Sequence, residues 1–177
     1  YGSPISNDAT SGQPEGMAAF SSRGPTDDLR LKPDVSAPGT YILSTRSRAT
    51  SDNGWLEYDS DHVYMGGTSM ATPLTAGAPA ALLQHLKDNV GHDNPSSALV
   101  KAMFAAGAMD MAGQYSSNTN GAGEAAPNIH EGWGRANLTN SVNTSFVDWE
   151  SASTSDIRKW TFAVPANTDN LSIILSW

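Results

Sequence analysis

The run Gly66-Gly67-Thr68-Ser69-Met70-Ala71-Thr72-Pro73 constrains this chain more than any other part of it. It follows the short strand-like run Val63-Tyr64-Met65 and precedes a long stretch rich in alanine and leucine that reads as a helix. A serine is a poor nucleophile unless its surroundings polarise it. A strand-to-helix junction does so, because the N–H groups of a first helical turn have no partner within the helix and the helix dipole is positive there. Such donors stabilise the oxyanion of a tetrahedral acyl intermediate. The glycines, lacking Cβ, let a substrate backbone come close. Ser69 is therefore the candidate nucleophile, and Gly67 and Thr68 are candidates for shaping the approach of a substrate to it.

Two earlier runs add to this pattern: Phe20-Ser21-Ser22-Arg23-Gly24-Pro25 and Lys32-Pro33-Asp34-Val35-Ser36-Ala37-Pro38-Gly39. With the serine run, in this order and spacing, they resemble the subtilisin-like serine proteases (subtilases, peptidase family S8). The resemblance continues to Gly132-Trp133-Gly134-Arg135, which is similar to the close of a subtilase catalytic domain. It implies an α/β fold, a three-layer sandwich around a mainly parallel sheet, and a serine endopeptidase acting on protein or peptide substrates through an acyl-enzyme on Ser69. Subtilases supply an aspartate, a histidine base and an oxyanion-binding asparagine ahead of the serine. None of His62, His85, His92 and His130 has the family's His-Gly-Thr-like context. The 177 residues are thus expected to be the C-terminal half of a catalytic domain, followed by the start of a further domain, that needs its own upstream half as a partner and is inactive alone. Secretion is expected from the resemblance only.

Asp34 precedes the serine but stands between Pro33 and Pro38 in a segment that reads as a fixed turn, so its expected role is structural. His62 reads as a structural histidine on the strand before the serine. The resemblance implies no cofactor for catalysis and allows a structural calcium; Asp27-Asp28 and Asp59 with Asp61 have no defined ligand spacing, so no metal residue is assigned. A net charge of −8 and an isoelectric point near 4.7 speak against nucleic acid or an anionic membrane as partners, since both attract basic surfaces. With no cysteine there is neither a disulfide nor a thiol nucleophile.

Residues 1–143 are assigned to the catalytic domain. The segment from Ser69 to about Asn89 places Leu82, Leu83, Leu86 and Val90 at helical spacing, with Gly91 as a stop and small residues in the first turns that suit packing against a sheet. Pro79 lies inside this helix and is expected to bend it or delete a bond near Thr75. A second helix is expected from Ser96 or Ser97 to about Gly107, with the apolar stripe Leu99, Val100, Met103 and Phe104. Ala49–Ser60 and Gly113–Asn128 read as loops. Residues 144–177 change character: Trp160–Val164 and Leu171–Trp177 alternate as strands do and are expected to begin a β-sandwich or β-barrel domain.

Two further classes stay open. Gly67-Thr68-Ser69-Met70-Ala71 nearly spells the nucleophile elbow of an α/β-hydrolase-type esterase, and Asp110 and His130 follow in that fold's order. A protease-like binding or scaffold protein without activity would keep the same pattern.

Overall fold

The computed structural model describes residues 10, 15–111, 125–166 and 171–177 of the 177-residue chain. Strand β1 (Ile42–Thr45) leads through a long loop to β2 (Leu56–Glu57) and β3 (His62–Met65). Helix α1 (Thr68–His85) follows directly, then one π-helical turn (Leu86–Val90), α2 (Ser97–Gly107) and the short α3 (Leu138–Val142).

Strand β3 is central and pairs antiparallel with both neighbours, Ile42 facing Met65 on one side and Leu56 facing Tyr64 on the other. Among the described residues this three-stranded sheet is antiparallel, not mainly parallel as expected. The reason is the connection: a loop that returns the chain beside its own start gives antiparallel neighbours, whereas parallel strands need a crossover. One isolated parallel pairing occurs, Ser36 with Arg135. The polar stretch 49–60, expected as loop alone, contains β2 because Leu56 and Glu57 find the free edge of β3.

The core is helical. Leu82 and Leu86 pack with Leu99, Met103 and Phe104 of α2, and Ala136, Leu138, Val142 and Phe146 close over them. The spacing argument put Leu83 and Val90 on the same face, but both are exposed. At the π turn the helix widens. Gly91 then adopts φ 77°, and its N–H and that of His92 both reach the Leu86 carbonyl, a glycine-based stop. Ser96 caps α2 by accepting from the Leu99 N–H at 2.9 Å. Helix α3 was not expected; its start is Asn137, whose side chain accepts from the Asn140 N–H at 3.0 Å.

Helix α1 passes through Pro79 as one continuous element. Proline has no N–H, so the donor that would reach the Thr75 carbonyl is absent, yet the helix does not end there. Its small residues were expected to lie against a sheet. Instead Leu82 is its one buried residue, and Ala71, Thr72, Thr75 and Ala76 line an open cavity.

After Met65 the described residues contain no strand. Trp160–Val164 and Leu171–Trp177 form no strand and are largely exposed, because alternation prepares a strand that only a hydrogen-bonded neighbour can complete. The turn expected between them falls mostly outside the described residues, as does most of the 113–128 loop. No helix among the described residues is long and apolar enough to cross a membrane.

Candidate active site

Four separated runs of the sequence meet around the start of α1. Gly24 donates to the Ile129 carbonyl at 2.9 Å, and its Cα lies so close to Lys32 that a Cβ there would fall 2.1 Å from the Lys32 oxygen. The Lys32–Gly39 run is tied to residues 133–136: Trp133 N–H to the Asp34 carbonyl, Ser36 N–H to that of Gly134, and Ala136 N–H to that of Ser36, all at 2.8–2.9 Å. Gly132 and Gly134 have φ 68° and 115°, and a Cβ on either would strike backbone oxygens of Pro33 or Met109 at 2.2 Å. At the far end of this ladder the Gly39 carbonyl accepts the Gly67 N–H at 2.7 Å.

Gly67 is the N-cap of α1, with φ 141° and ψ 166°, a conformation open essentially to glycine alone. It offers no side chain to cap the helix. Its carbonyl accepts from the Met70 N–H at 3.0 Å, which leaves the N–H groups of Thr68 and Ser69 without an acceptor among the described residues. Ser69 is exposed, and its hydroxyl makes no hydrogen bond among them. An unpartnered hydroxyl beside unpartnered helix-end donors is the arrangement an acyl-transfer nucleophile needs on its oxyanion side. Gly67 and Thr68 line a cavity of about 790 Å³ together with Phe20, Pro38 and Ala71. The structure thus brings Gly67, Thr68 and Ser69 onto one turn.

Residues 6–134, well over half the chain, match the subtilase family, peptidase S8. The chain belongs to the subtilase family. Relatives include the serine protease/ABC transporter B family protein tagB of Dictyostelium discoideum, 36% identical over 146 residues, which is 70% of this chain and 8% of tagB. The serine protease AprX of Bacillus subtilis is 40% identical over 89 residues, 46% of this chain and 19% of AprX. A subtilisin-like protease of Arabidopsis thaliana, SBT3.7, is 44% identical over 75 residues, 40% of this chain and 9% of its own length. The subtilase chain thus spans less than a tenth of tagB. Family membership carries the α/β class and replaces the α/β-hydrolase alternative.

The other candidate residues of this subtilase are engaged elsewhere. Asp34 pairs with Lys32 and with Lys101; burial raises its carboxyl, but the two ammonium groups outweigh that and hold it below its ordinary value. The Asp61 N–H and the His62 ring, 2.9 Å away, lower Asp59 in the same way. Asp110 accepts from the Ala126 N–H at 3.2 Å, and His130 is buried. No histidine among the described residues hydrogen-bonds to Ser69. In the acidic pairs, Asp28 is bonded to Thr26 and Arg30, Asp59 to His62, and Asp61 to Arg48. No three metal-ligating side chains gather among the described residues.

Two features had no reading in the sequence. Trp55 lies against Gly66, in edge-to-face contact with Phe20 and Tyr41 at 6.2 and 5.3 Å between ring centres. Asp148 is bound by the Ser96 hydroxyl at 2.5 Å and by the Ser96 N–H and His92 Nε2 at 2.8 Å, while Phe146 stacks on the His92 ring. Neither could be found from local pattern, since each joins residues more than ten positions apart.

Proposed function

We propose that this chain carries the nucleophile of a serine endopeptidase. The observation that supports it most is the turn Gly67-Thr68-Ser69, where an exposed serine begins a helix whose first N–H groups have no acceptor among the described residues. Ser69 Oγ bonds to the carbonyl carbon of the scissile peptide while its proton passes to a histidine. The Ser69 N–H holds the oxyanion, and Gly67 and Thr68 shape the approach. Collapse of the intermediate breaks the C–N bond, the amine leaves with the proton, and water then hydrolyses the acyl-enzyme.

The histidine, its aspartate and the oxyanion asparagine belong, in this reading, to a segment ahead of residue 1. The small-residue face of α1 along the 790 Å³ cavity supports it, since Ala76 is exposed and Ala71 only half-buried there, a surface small enough for close packing. Protein or peptide substrates, an extracellular location and a β domain beginning near residue 144 belong to the same proposal.

Labelling by a fluorophosphonate probe tests it, with this chain, a form extended by its upstream sequence, and Ser69→Ala in each. Labelling of the extended form alone, dependent on Ser69, is the expected outcome. Labelling of the short chain at Ser69 would place a base within it, and no labelling of the extended form would make the protein a non-catalytic relative.

A further inference from the structure

Glu131 is an acid placed in the interior. It is 1% exposed, and both carboxyl oxygens are bound by neutral donors: Oε1 accepts from Asn128 Nδ2 and Oε2 from the Met111 N–H, each at 2.8 Å. Burying a carboxyl is costly unless its oxygens are bonded. Burial pushes this one above its ordinary value, the two donors oppose the rise, and the charge of Asp110 adds to it. A buried polar group satisfied in this way holds its neighbours in one arrangement.

The segments that Glu131 joins form part of the wall beside the nucleophile turn. Met111 follows α2 and lines the 790 Å³ cavity together with Ser36, Gly39, Gly67 and Thr68. On the other side Asn128 closes the chain around Glu131: its Oδ1 accepts the N–H groups of His130 and Glu131 at 2.9 and 3.0 Å, and its backbone exchanges two bonds of 2.9 Å with Gly132. The Glu131 carbonyl continues outward, accepting the Gly134 N–H at 3.2 Å and the Ser36 hydroxyl at 3.3 Å. Ser36 in turn donates its own N–H to the Gly134 carbonyl at 2.9 Å. Three residues further on, the Gly39 carbonyl holds the N–H of Gly67, the N-cap of the helix that carries Ser69. Glu131 thus stands at the root of a backbone ladder that ends two residues before the candidate nucleophile.

We propose that Glu131 is a positioning residue for the nucleophile turn: its buried carboxyl, bonded to Asn128 and to the Met111 N–H, fixes residues 128–136 against the Lys32–Gly39 run and, through Gly39, sets the place of Gly67 and Ser69. The proposal rests on the protease reading of Ser69. It gives the acid a role in catalysis without contact with substrate, since a nucleophile displaced by a fraction of an ångström reacts more slowly.

The test uses the upstream-extended protein, Glu131→Gln in it, and one fluorogenic peptide that the wild type cleaves. Glutamine keeps the shape but turns one acceptor oxygen into an NH₂ group, which then faces a donor. Counting active sites with the fluorophosphonate probe removes any difference in folded fraction. Per counted site, kcat is expected to fall roughly tenfold to a hundredfold while KM stays within about twofold. An unchanged kcat per site beside a lowered urea midpoint would show that Glu131 serves folding alone, and overturns the proposal. Native-state hydrogen exchange of the wild type is a second measurement that needs no variant. The Gly67 and Met111 N–H groups are expected to respond alike to low urea, because one network holds both. Independent exchange of the two overturns the proposal. Absence of Ser69-dependent probe labelling in the wild type overturns the protease reading first, and this inference with it.

Discussion

The Gly39 carbonyl accepts the Gly67 N–H at 2.7 Å, and this bond joins the Lys32–Gly39 run to the turn that presents Ser69. A side chain at Gly39 would be tight, since a Cβ would stand 3.0 Å from the Gly67 oxygen and 3.3 Å from the Ala71 Cβ. The position of the candidate nucleophile is therefore set by backbone contacts between glycines.

Replacing Gly67 tests that dependence. Alanine at φ 141° and ψ 166° is strained by about 1–3 kcal/mol. The chain relieves the strain by rotating the peptide that positions Ser69 and its N–H. Gly67→Ala in the upstream-extended protein is expected to slow fluorophosphonate labelling at Ser69 by roughly tenfold to a hundredfold. An unchanged labelling rate would show that the turn tolerates a side chain and that its geometry is not what activates Ser69.

Pro79 lies inside α1 without ending it. Pro79→Ala returns an N–H to the Thr75 carbonyl and removes a residue that costs roughly 3 kcal/mol in a helix interior, less the entropy the proline takes from the unfolded chain. The expected result is a gain of about 1 kcal/mol or more in urea unfolding, with increased helical circular dichroism. A loss would mean that the ring's packing beside Val100 and Phe104 outweighs the missing bond.

Leu82 is fully buried between α1 and α2 and touches the residues that α2 contributes to the core. Truncation to alanine is expected to cost about 2–5 kcal/mol, the range for a buried leucine whose cavity collapses only in part. Leu83→Ala, one residue on and exposed, is expected to stay within about 0.5 kcal/mol of the parent. Urea midpoints of the two variants separate the helical face that packs from the one that does not.

Asp148 fastens residues 146–149 to the start of α2. Burial raises its carboxyl, but the Ser96 hydroxyl and N–H and the His92 ring outweigh this, so its folded value lies below the ordinary 3.8. A depressed carboxylate adds stability that is present above its ordinary value and is lost as pH falls through the folded one. Asp148→Asn is expected to cost about 1–3 kcal/mol at pH 7, where several donors lose a charged acceptor. The gap between wild type and variant is expected to narrow below pH ~4 as the wild-type carboxyl protonates. Urea unfolding at pH 7 and pH 3 measures both; a gap that does not change with pH would assign the effect to shape and not to charge.

Much of this protein was legible in local pattern. Helix α2 runs from the capping serine to Gly107 as the Ser96 and Leu99–Phe104 stripe predicts, because caps and 3.6-residue periodicity act within one turn or two. The helix after Ser69 begins where the small-residue motif says it does. The π turn at Leu86–Val90 was not legible, since widening a helix depends on what packs against it.

By itself the sequence determined the glycine-gated turn at Ser69, the helix that follows it and the family, since those rest on residue types at short spacing. Tertiary structure decided which way the sheet runs, that Leu82 and Leu86 are core while Leu83 and Val90 are not, and that Trp55 rests on Gly66. It also decided that the alternating segments near residues 160 and 175 form no strand. The physical reason is range. Backbone conformation answers to neighbouring residues, whereas strand pairing and burial require a second surface that local sequence does not name.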